Sequence, residues 1–280
     1  MQSGPAFSTP RAICRSLLHW NWAFTLPGKL VESRRQSGGL PQRVNFGQFA
    51  ALALHPSTHL HKNLSMHHAL ETRLAESLDR QTIQALVENW AVWRDAGDWA
   101  RFKTVWHADG MMMATWFQGP FEEFIRVTVE GWNKGVSILH FLGGTSIELA
   151  GARAIAQTRM TISQRGLVEG VPCDVVCTGR FYDFFEKRRM VAGEDQGRWG
   201  LVHRQPIYEK DRVDPIDPAA KLVMDQGKLA TLPEGYRHLA YIQTQIGYAV
   251  KMDMPQLKGP EVQNLYRRGA DWLVGKPLER

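Results

Sequence analysis

The feature that most constrains the fold is a change of hydrophobic period near residue 137. Between Leu74 and Trp93 the apolar residues recur every three or four positions, which is typical of an amphipathic helix. From His140 to Arg204 the sequence consists of segments typical of strands, separated by polar turns. Helices followed by consecutive strands predict an α+β domain, here with an antiparallel meander of about four or five strands.

Local signals place the boundaries of these elements. The first helix is expected to begin near Leu70, and Asp79 is a candidate N-cap that would split it into two helices. Gly97 ends this helical region, and Asp98 is expected to cap the short helix that follows. The remaining predicted elements are a turn at 108–110, strands at 111–117, 145–149, 154–164, 173–186 and 198–204, and helices at 121–131, 236–252 and 260–274.

The positive charge of the chain is confined to its first quarter. The net charge is +6, but residues 1–70 carry seven Lys and Arg residues and one acid, whereas residues 71–280 carry 27 of each sign. A nucleic-acid-binding domain concentrates basic residues on the surface that meets the phosphate backbone, so we expect no nucleic-acid partner. No apolar run approaches the roughly 20 residues needed to cross a bilayer, and we expect no membrane association.

Residues 1–68 are expected to form a disordered or poorly ordered leader, because they lack a sustained hydrophobic period and are rich in Ser, Gly, Pro, Arg and His. Their basic composition also fits an organellar transit peptide. A third interpretation is upstream sequence translated from a misplaced start, with Met66 as the natural first residue. We favour the unstructured leader and a cytoplasmic protein; a genuine transit peptide would make it organellar.

Cysteine usage agrees with a reducing compartment. Cys14, Cys173 and Cys177 are odd in number, and the last two are spaced like residues of one strand rather than like a disulfide or a metal site. We therefore expect neither a bound metal nor another cofactor.

The stretch 137–145 surrounds a single imidazole, that of His140, with four apolar residues. Gly143 and Gly144 follow and allow a turn or bulge directly after the histidine. Out of water, the pKa of the imidazole becomes sensitive to any nearby carboxylate. A lone histidine in an apolar run is more often a hydrogen-bonded core residue than a catalytic one, so a partner elsewhere in the chain decides between these interpretations.

Three motifs resemble the SnoaL-like branch of the nuclear-transport-factor-2-like superfamily, and within it the scytalone dehydratases. Residues 94–99 (Arg-Asp-Ala-Gly-Asp-Trp) are similar to the family's Asp-x-x-Asp-Trp turn, and residues 140–145 match the dehydratase His-Phe-hydrophobic-Gly-Gly-Thr run. Residues 197–199 (Gly-Arg-Trp) resemble the end of the family's closing hairpin. The resemblance covers residues 74–206 and implies a cone-shaped fold, a curved antiparallel sheet wrapped around N-terminal helices with an apolar pocket inside.

The resemblance also implies a catalytic pair. In the family's enzymes an Asp from the first helix region meets a His on the pocket wall, and the matching positions are Asp95 and His140. Such a carboxylate fixes the tautomer of the imidazole and makes its other nitrogen a stronger base. Asp95 is also predicted to stand at a helix C-terminus, where the helix dipole disfavours an acid, so a specific partner is expected.

The sequence departs from the dehydratases at their other pocket positions. Ser163 stands where they have a second histidine, and their two tyrosines have no clear counterparts near residues 114–116. The resemblance therefore implies a more apolar ligand than scytalone. The expected substrate-binding residues, of which the aromatic ones also fit a plain core role, are Trp93, Trp116, Phe141, Ser163 and Phe181.

These expectations lead to two main functional hypotheses. The first is a cofactor-independent, dehydratase-like lyase or isomerase that acts on a small apolar or aromatic molecule. The alternative is a non-catalytic small-molecule-binding or accessory protein; an interaction module has only fold analogy behind it. Residues 69–208 would form the domain and residues 209–280 a helical extension packed on it. Self-association into a homo-oligomer is expected from the resemblance and from the aromatic residues of the extension.

Overall fold

A computed structural model describes residues 56–189 and 197–279 of the protein. Its strands are β1 Trp106–Met113, β2 Gln118–Pro120, β3 Ser137–Ala150, β4 Arg153–Val168, β5 Val171–Arg188 and β6 Arg198–Pro215. Its α-helices are α1 Pro56–Asp95, α2 Trp99–Lys103, α3 Phe121–Asn133, α4 Gln226–Thr231, α5 Arg237–Gln245 and α6 Pro260–Leu273. Residues 1–55, most of the expected leader, lie outside the described residues.

The first helix is longer than the sequence predicts. α1 begins at Pro56 rather than near Leu70, so residues 56–68, which we assigned to the leader, are helical instead. Residues 65–78 are all exposed, and the buried face of the helix starts only at Ile83. Because residues 65–78 are exposed, burial does not require apolar side chains there, and the hydrophobic pattern did not locate the start of the helix.

The predicted division of α1 at Asp79 is wrong. Oδ1 of Asp79 accepts hydrogen bonds from Lys187 Nζ and Trp199 Nε1, both at 2.8 Å. These contacts with β5 and β6 engage the carboxylate in tertiary structure, so it does not compete locally with the helix. The helix continues unbroken to Asp95.

The six strands form one sheet in the order β2-β1-β6-β5-β4-β3. The predicted meander is formed by β3, β4, β5 and β6, which pair antiparallel in sequence order. β1 joins it by pairing parallel with β6, and β2 pairs antiparallel with β1. The sheet is curved, with α1, α2 and α3 on its N-terminal side, so the predicted α+β architecture is confirmed.

The glycines after His140 form a bulge inside one continuous strand. The pairing of β3 with β4 shifts register between Leu142 and Thr145, at Gly143 and Gly144. A Cβ on Gly143 would lie 3.2 Å from the Cβ of Arg159, so a larger residue would crowd the neighbouring strand. Of the two outcomes that the glycines predicted, a turn or a bulge, the bulge is the observed one.

Two predicted strand boundaries are wrong. The expected turn at 108–110 lies inside β1, where the pairing with β6 is irregular between Trp106 and Met111. β6 does not end at Arg204 but runs on through Pro206 into the segment expected to be a helical extension. The pairing of β6 with β1 ends at Arg204, so that edge needs no N–H from the proline.

Helices cover both faces of the sheet. On the inner face Val87 and Trp90 of α1 are buried in the main core. On the outer face Val262, Leu265 and Trp272 of α6 form a second buried cluster with residues of β4, β5 and β6. The strand β5 contributes to both, with Phe181 and Phe185 in the main core and Tyr182 and Phe184 in the second cluster.

The helix α5 lies against β4, β5 and β6, and its residues Leu239 to Ile242 belong to the main core. The predicted helix at 236–252 is shorter in the structure, because it ends at Gln245 and Gly247 follows with a φ of 93°. Cys173 and Cys177 both lie on β5 as free thiols, as the sequence predicts, whereas Cys14 lies outside the described residues. None of the described helices is long and apolar enough to cross a lipid bilayer.

The packing of α6 gives a prediction for stability. Trp272 is buried, and the guanidinium of Arg153 lies 3.9 Å from the centre of its ring. The indole Nε1 of Trp272 donates a hydrogen bond to the carbonyl of Phe185 at 3.3 Å. We expect Trp272→Ala to lower the free energy of unfolding by about 3–5 kcal/mol in urea titrations. Val274→Ala, at an exposed position just after the same helix, should change it by less than about 0.5 kcal/mol. Equal, small effects would contradict a stabilising role of the extension.

Candidate active site

The end of α1 and the start of β3 meet at a single carboxylate. Asp95 Oδ1 lies 2.9 Å from Nδ1 of His140, and Oδ2 accepts a hydrogen bond from the backbone N–H of the same residue. Both side chains are largely buried, with 12% of the Asp95 side chain and 7% of the His140 side chain exposed. The structure therefore brings together the two residues that the sequence selected, and it fixes both the ring and the backbone of His140.

A third residue of this cluster, Arg94, was not predicted. Its Nη1 donates to Asp95 Oδ1 at 3.1 Å and to the carbonyl of Ile138 at 2.8 Å. The side chain is 6% exposed, so the pair it forms with Asp95 is shielded from water. Arg94 offsets the unfavourable placement of an acid at the C-terminal end of α1.

Burial sets the protonation state of the pair. Removal from water lowers the pKa of His140 below its ordinary value of 6.5, and the positive charges of Arg94 and Arg204 lower it further against the opposing hydrogen bond to Asp95. Burial alone would raise the pKa of Asp95, but hydrogen bonds and charge interactions with His140 and Arg94 outweigh it and lower that pKa. Near neutral pH the pair is thus a neutral imidazole beside a carboxylate, the state that a general base requires.

The imidazole borders a small cavity, which we call the His140 cavity. Its volume is about 30 Å³, room for roughly two water molecules. The apolar part of its wall includes Trp90, Met112, Phe124, Ile162, Phe181 and Leu239.

The His140 cavity is smaller than we expected. We expected a pocket for a small apolar or aromatic molecule beside His140, and a volume of about 30 Å³ does not provide the space for it. Arg94, Trp116 and Gln243 border both this cavity and a second void of about 10 Å³ next to Tyr248. Side chains at this shared wall divide the available space, so a ligand larger than water must displace part of it.

Two of the expected lining residues do contribute to the wall of the cavity. Trp116 borders it from the segment between β1 and β2, and Phe181 borders it from β5. The Phe181 ring centre lies 6.1 Å from that of His140. Trp90, which was not among the expected lining residues, meets the imidazole edge to face at 5.2 Å.

The other three residues that we expected in the wall do not border the cavity. Side chains alternate along a strand, so His140 and Phe141 point to opposite faces of the sheet, and Phe141 is 77% exposed. Ser163 is turned outward in the same way, next to inward-facing residues of β4. Trp93 is partly buried against the main core and takes no part in the cavity wall.

The polar side of the cavity was missed by the sequence analysis. Gln164 takes the inward position beside Ser163, as strand alternation would have indicated. Gln243 reaches the same wall from α5: its Oε1 accepts from Thr115 Oγ1 at 2.7 Å, and its Nε2 lies 3.4 Å from Gln164 Oε1. No local pattern identifies Gln243, because its contacts join segments far apart in the sequence.

A buried ion pair supports two aromatic walls of the cavity. Arg204 and Asp183 are fully buried and form two hydrogen bonds, at 2.8 and 2.7 Å. The guanidinium lies 4.3 Å from the ring centre of Trp90 and 4.0 Å from that of Phe181. Cation–π contacts of this kind hold the two rings in fixed orientations beside His140.

Within the described ranges, no three His, Cys, Asp or Glu side chains come together as metal ligands. The cavity is bordered by the imidazole of the His140–Asp95 pair, one guanidinium, two amides and the hydroxyl-bearing residues Thr115 and Tyr208.

Sequence comparison identifies relatives over most of the described chain. A family model for the SnoaL-like domain matches residues 75–205. A PEP2-like protein of Fusarium vanettenii is 34% identical over 213 residues, which cover 72% of this chain and 88% of that protein. Pea pathogenicity protein 2 of the same fungus is 33% identical over 214 residues, covering 72% of this chain and 89% of that one.

Solved structures with a related fold are more distant. A protein named "putative scytalone dehydratase" from Novosphingobium aromaticivorans has a TM-score of 0.40 and 14% identity, over 53% of this chain and 97% of its own. Hexachlorocyclohexane dehydrochlorinase LinA-type3 from Novosphingobium barchaimii has a TM-score of 0.42 and 16% identity, over 55% of this chain and 99% of its own. On the family model and the sequence relatives, the chain belongs to the SnoaL-like family of the nuclear-transport-factor-2-like superfamily.

Proposed function

We propose that the protein is a cofactor-independent, dehydratase-like lyase or isomerase that acts on a small apolar or aromatic molecule. The observation that supports this most is the 2.9 Å hydrogen bond between His140 Nδ1 and Asp95 Oδ1 at the edge of a mostly apolar cavity. A neutral imidazole in this setting is suited to remove a proton from a carbon atom next to an electron-withdrawing group.

The two ring nitrogens of His140 have different roles in this proposal. Nδ1 donates to Asp95, which selects the tautomer whose Nε2 lone pair is free. Nε2 takes the proton from the substrate carbon, and the carboxylate stabilises the imidazolium that forms. Nε2 then returns the proton, either to a leaving hydroxyl that departs as water or to another carbon of a conjugated system.

The alternative is a small-molecule-binding or accessory protein that uses the same cavity without turnover. The small volume of the cavity, about 30 Å³, favours neither function, because both require the shared wall to move. The buried carboxylate favours the enzyme: a binding protein gains nothing from a polarised base, and keeping such a pair in a core is costly. A substitution that changes the base but preserves the shape of the cavity separates the two.

Asp95→Asn is that substitution. We expect it to slow proton removal about 10²- to 10⁴-fold, because an amide no longer selects the tautomer or stabilises the imidazolium. Since no substrate is needed in advance, the assay is deuterium incorporation from D₂O into a panel of small carbon acids, followed by mass spectrometry. Thermal-shift measurements on the same panel report binding.

Asp98→Asn is the matched control for this experiment. Asp98 is the N-cap of α2, three residues further on, and Asn caps helices as well as Asp does. The control should exchange deuterium as fast as the wild type. Equal exchange in Asp95→Asn and the wild type, or binding without exchange in both, would instead favour the binding protein.

The protonation state of His140 predicts a pH profile. The proposed reaction needs the neutral imidazole, and burial lowers its pKa below 6.5. The rate should therefore be constant near neutral pH and fall only as the pH drops through that lowered value. We expect the acid limb of kcat/KM below pH 6.5; a midpoint above this value would show that the Asp95 interaction outweighs burial.

We propose in addition that the protein self-associates through the outer face of β3. Leu139 and Phe141 are 60% and 77% exposed there, whereas Trp272 of the C-terminal extension is already buried within the chain. Phe141→Lys should convert an oligomer to monomer in sedimentation experiments at micromolar concentration, while Val223→Lys, at another exposed apolar position, should not. A monomeric wild type would contradict this proposal.

A further inference from the structure

Arg94 is a buried cation that uses only part of its hydrogen-bonding capacity. Its hydrogen bonds to Asp95 and to the carbonyl of Ile138 both come from Nη1. Nε is buried and has no hydrogen-bond partner in the part of the chain that the structure describes. Because a guanidinium carries five N–H donors, this arrangement leaves donors for an oxygen acceptor that the chain itself does not supply.

Arg94 lies beside space that a ligand could enter. Arg94 borders both the His140 cavity and the second void next to Tyr248. Gln164 and Gln243 also border both, so the polar groups lie together at the shared wall. The cavity thus combines a base, an apolar body and one polar side that carries a positive charge.

A purely structural role explains Arg94 less well. Binding Asp95 and tying α1 to the carbonyl of Ile138 occupies a single nitrogen, which a lysine would provide equally. A buried N–H without a partner is costly, and such groups are uncommon unless they serve a ligand, an ion or a water molecule. The guanidinium therefore has a donor that contacts within the described residues do not use.

We infer that Arg94 is an oxyanion-binding residue and that the substrate is a carbonyl compound whose oxygen it holds while His140 removes the proton from the adjacent carbon. This inference rests on the proposed function and specifies its substrate class. It also distinguishes this chain from the dehydratases that it resembles, since the group that would stabilise the developing negative charge is a charged guanidinium.

The step balances without an added reactant. His140 Nε2 takes the proton from the carbon, the C–H electron pair forms a carbon–carbon double bond, and the carbonyl π electrons move to the oxygen that Arg94 holds. When the enolate collapses, it either expels a hydroxyl from the β carbon, which accepts the proton from the imidazolium and leaves as water, or takes that proton at the γ carbon of an unsaturated substrate. Both routes regenerate neutral His140.

The test compares two probes of the same size. 4-Nitrophenol has a phenolate form that imitates an enolate oxygen, and 4-nitrotoluene has a methyl group in its place. Both probes must open the same cavity wall, so the cost of opening cancels in the comparison. Quenching of tryptophan fluorescence reports binding. The phenolate absorbance reports ionisation of the bound probe, measured at a pH about one unit below the pKa of the free phenol.

The wild type should bind the phenolate more tightly than 4-nitrotoluene. Arg94→Gln should weaken phenolate binding about 10- to 100-fold, because a charge-assisted hydrogen bond is lost, and change 4-nitrotoluene binding by less than about twofold. Arg94→Lys, which keeps the charge and loses Nε, should fall between them. Arg126→Gln, an exposed arginine on α3, controls for the change of net charge and should bind both probes like the wild type.

Several outcomes would overturn the inference. Arg94→Gln could bind both probes like the wild type, or lose both equally with an unchanged melting temperature, which would mean that Arg94 only maintains the cavity. Failure of the wild type to bind either probe would exclude substrates of this class. Failure of the proposed function is seen separately, because Asp95→Asn would then leave deuterium exchange unchanged while Arg94→Gln still weakened phenolate binding.

Discussion

The carboxylate of Asp95 connects the end of the first long helix to the strand that carries His140. Asp95 ends the first long helix, and its two oxygens bind the ring and the backbone N–H of His140. Arg94 adds a second connection from the same helical turn to the carbonyl of Ile138. The position of the imidazole is therefore fixed by the main chain of β3 as well as by its own side chain, which is how a base is held ready without a ligand.

The sequence predicted this pair because each partner carried a local sign of strain or burial. Asp95 stood at a helix C-terminus, where an acid needs a compensating partner, and His140 stood in an apolar run that ended in two glycines. The motif resemblance then named the two positions together. The order of helices and strands could be predicted because the hydrophobic period of a segment reflects which of its faces is buried. The elements between Ile83 of α1 and β5 each have a more buried and a less buried face.

The predictions were wrong where the position of a side chain depends on which face of a strand it occupies or on residues far away in the sequence. Once His140 faces inward, alternation turns Phe141 outward, and the inward-facing Ile162 and Gln164 likewise turn Ser163 outward. The apolar run had concealed this alternation, because β3 carries exposed apolar residues on its outer face. Gln243 could not be predicted at all: it meets Gln164 from 79 residues away, and its sequence neighbourhood carries no sign of the contact.

The small volume of the cavity and the lowered pKa of His140 have the same cause, which is burial. Burial removes the imidazole from water, which lowers its pKa and strengthens its interaction with Asp95, and the same packing leaves space for only a few water molecules. A ligand must then displace the wall formed by Arg94, Trp116 and Gln243. Gln243 belongs to α5, outside the segment that the family model matches. The segment that matches the family model thus carries His140 and Asp95, whereas the C-terminal extension supplies part of the shared wall. Under the proposed function a substrate has to displace this wall, so the extension would contribute to the selection of the substrate.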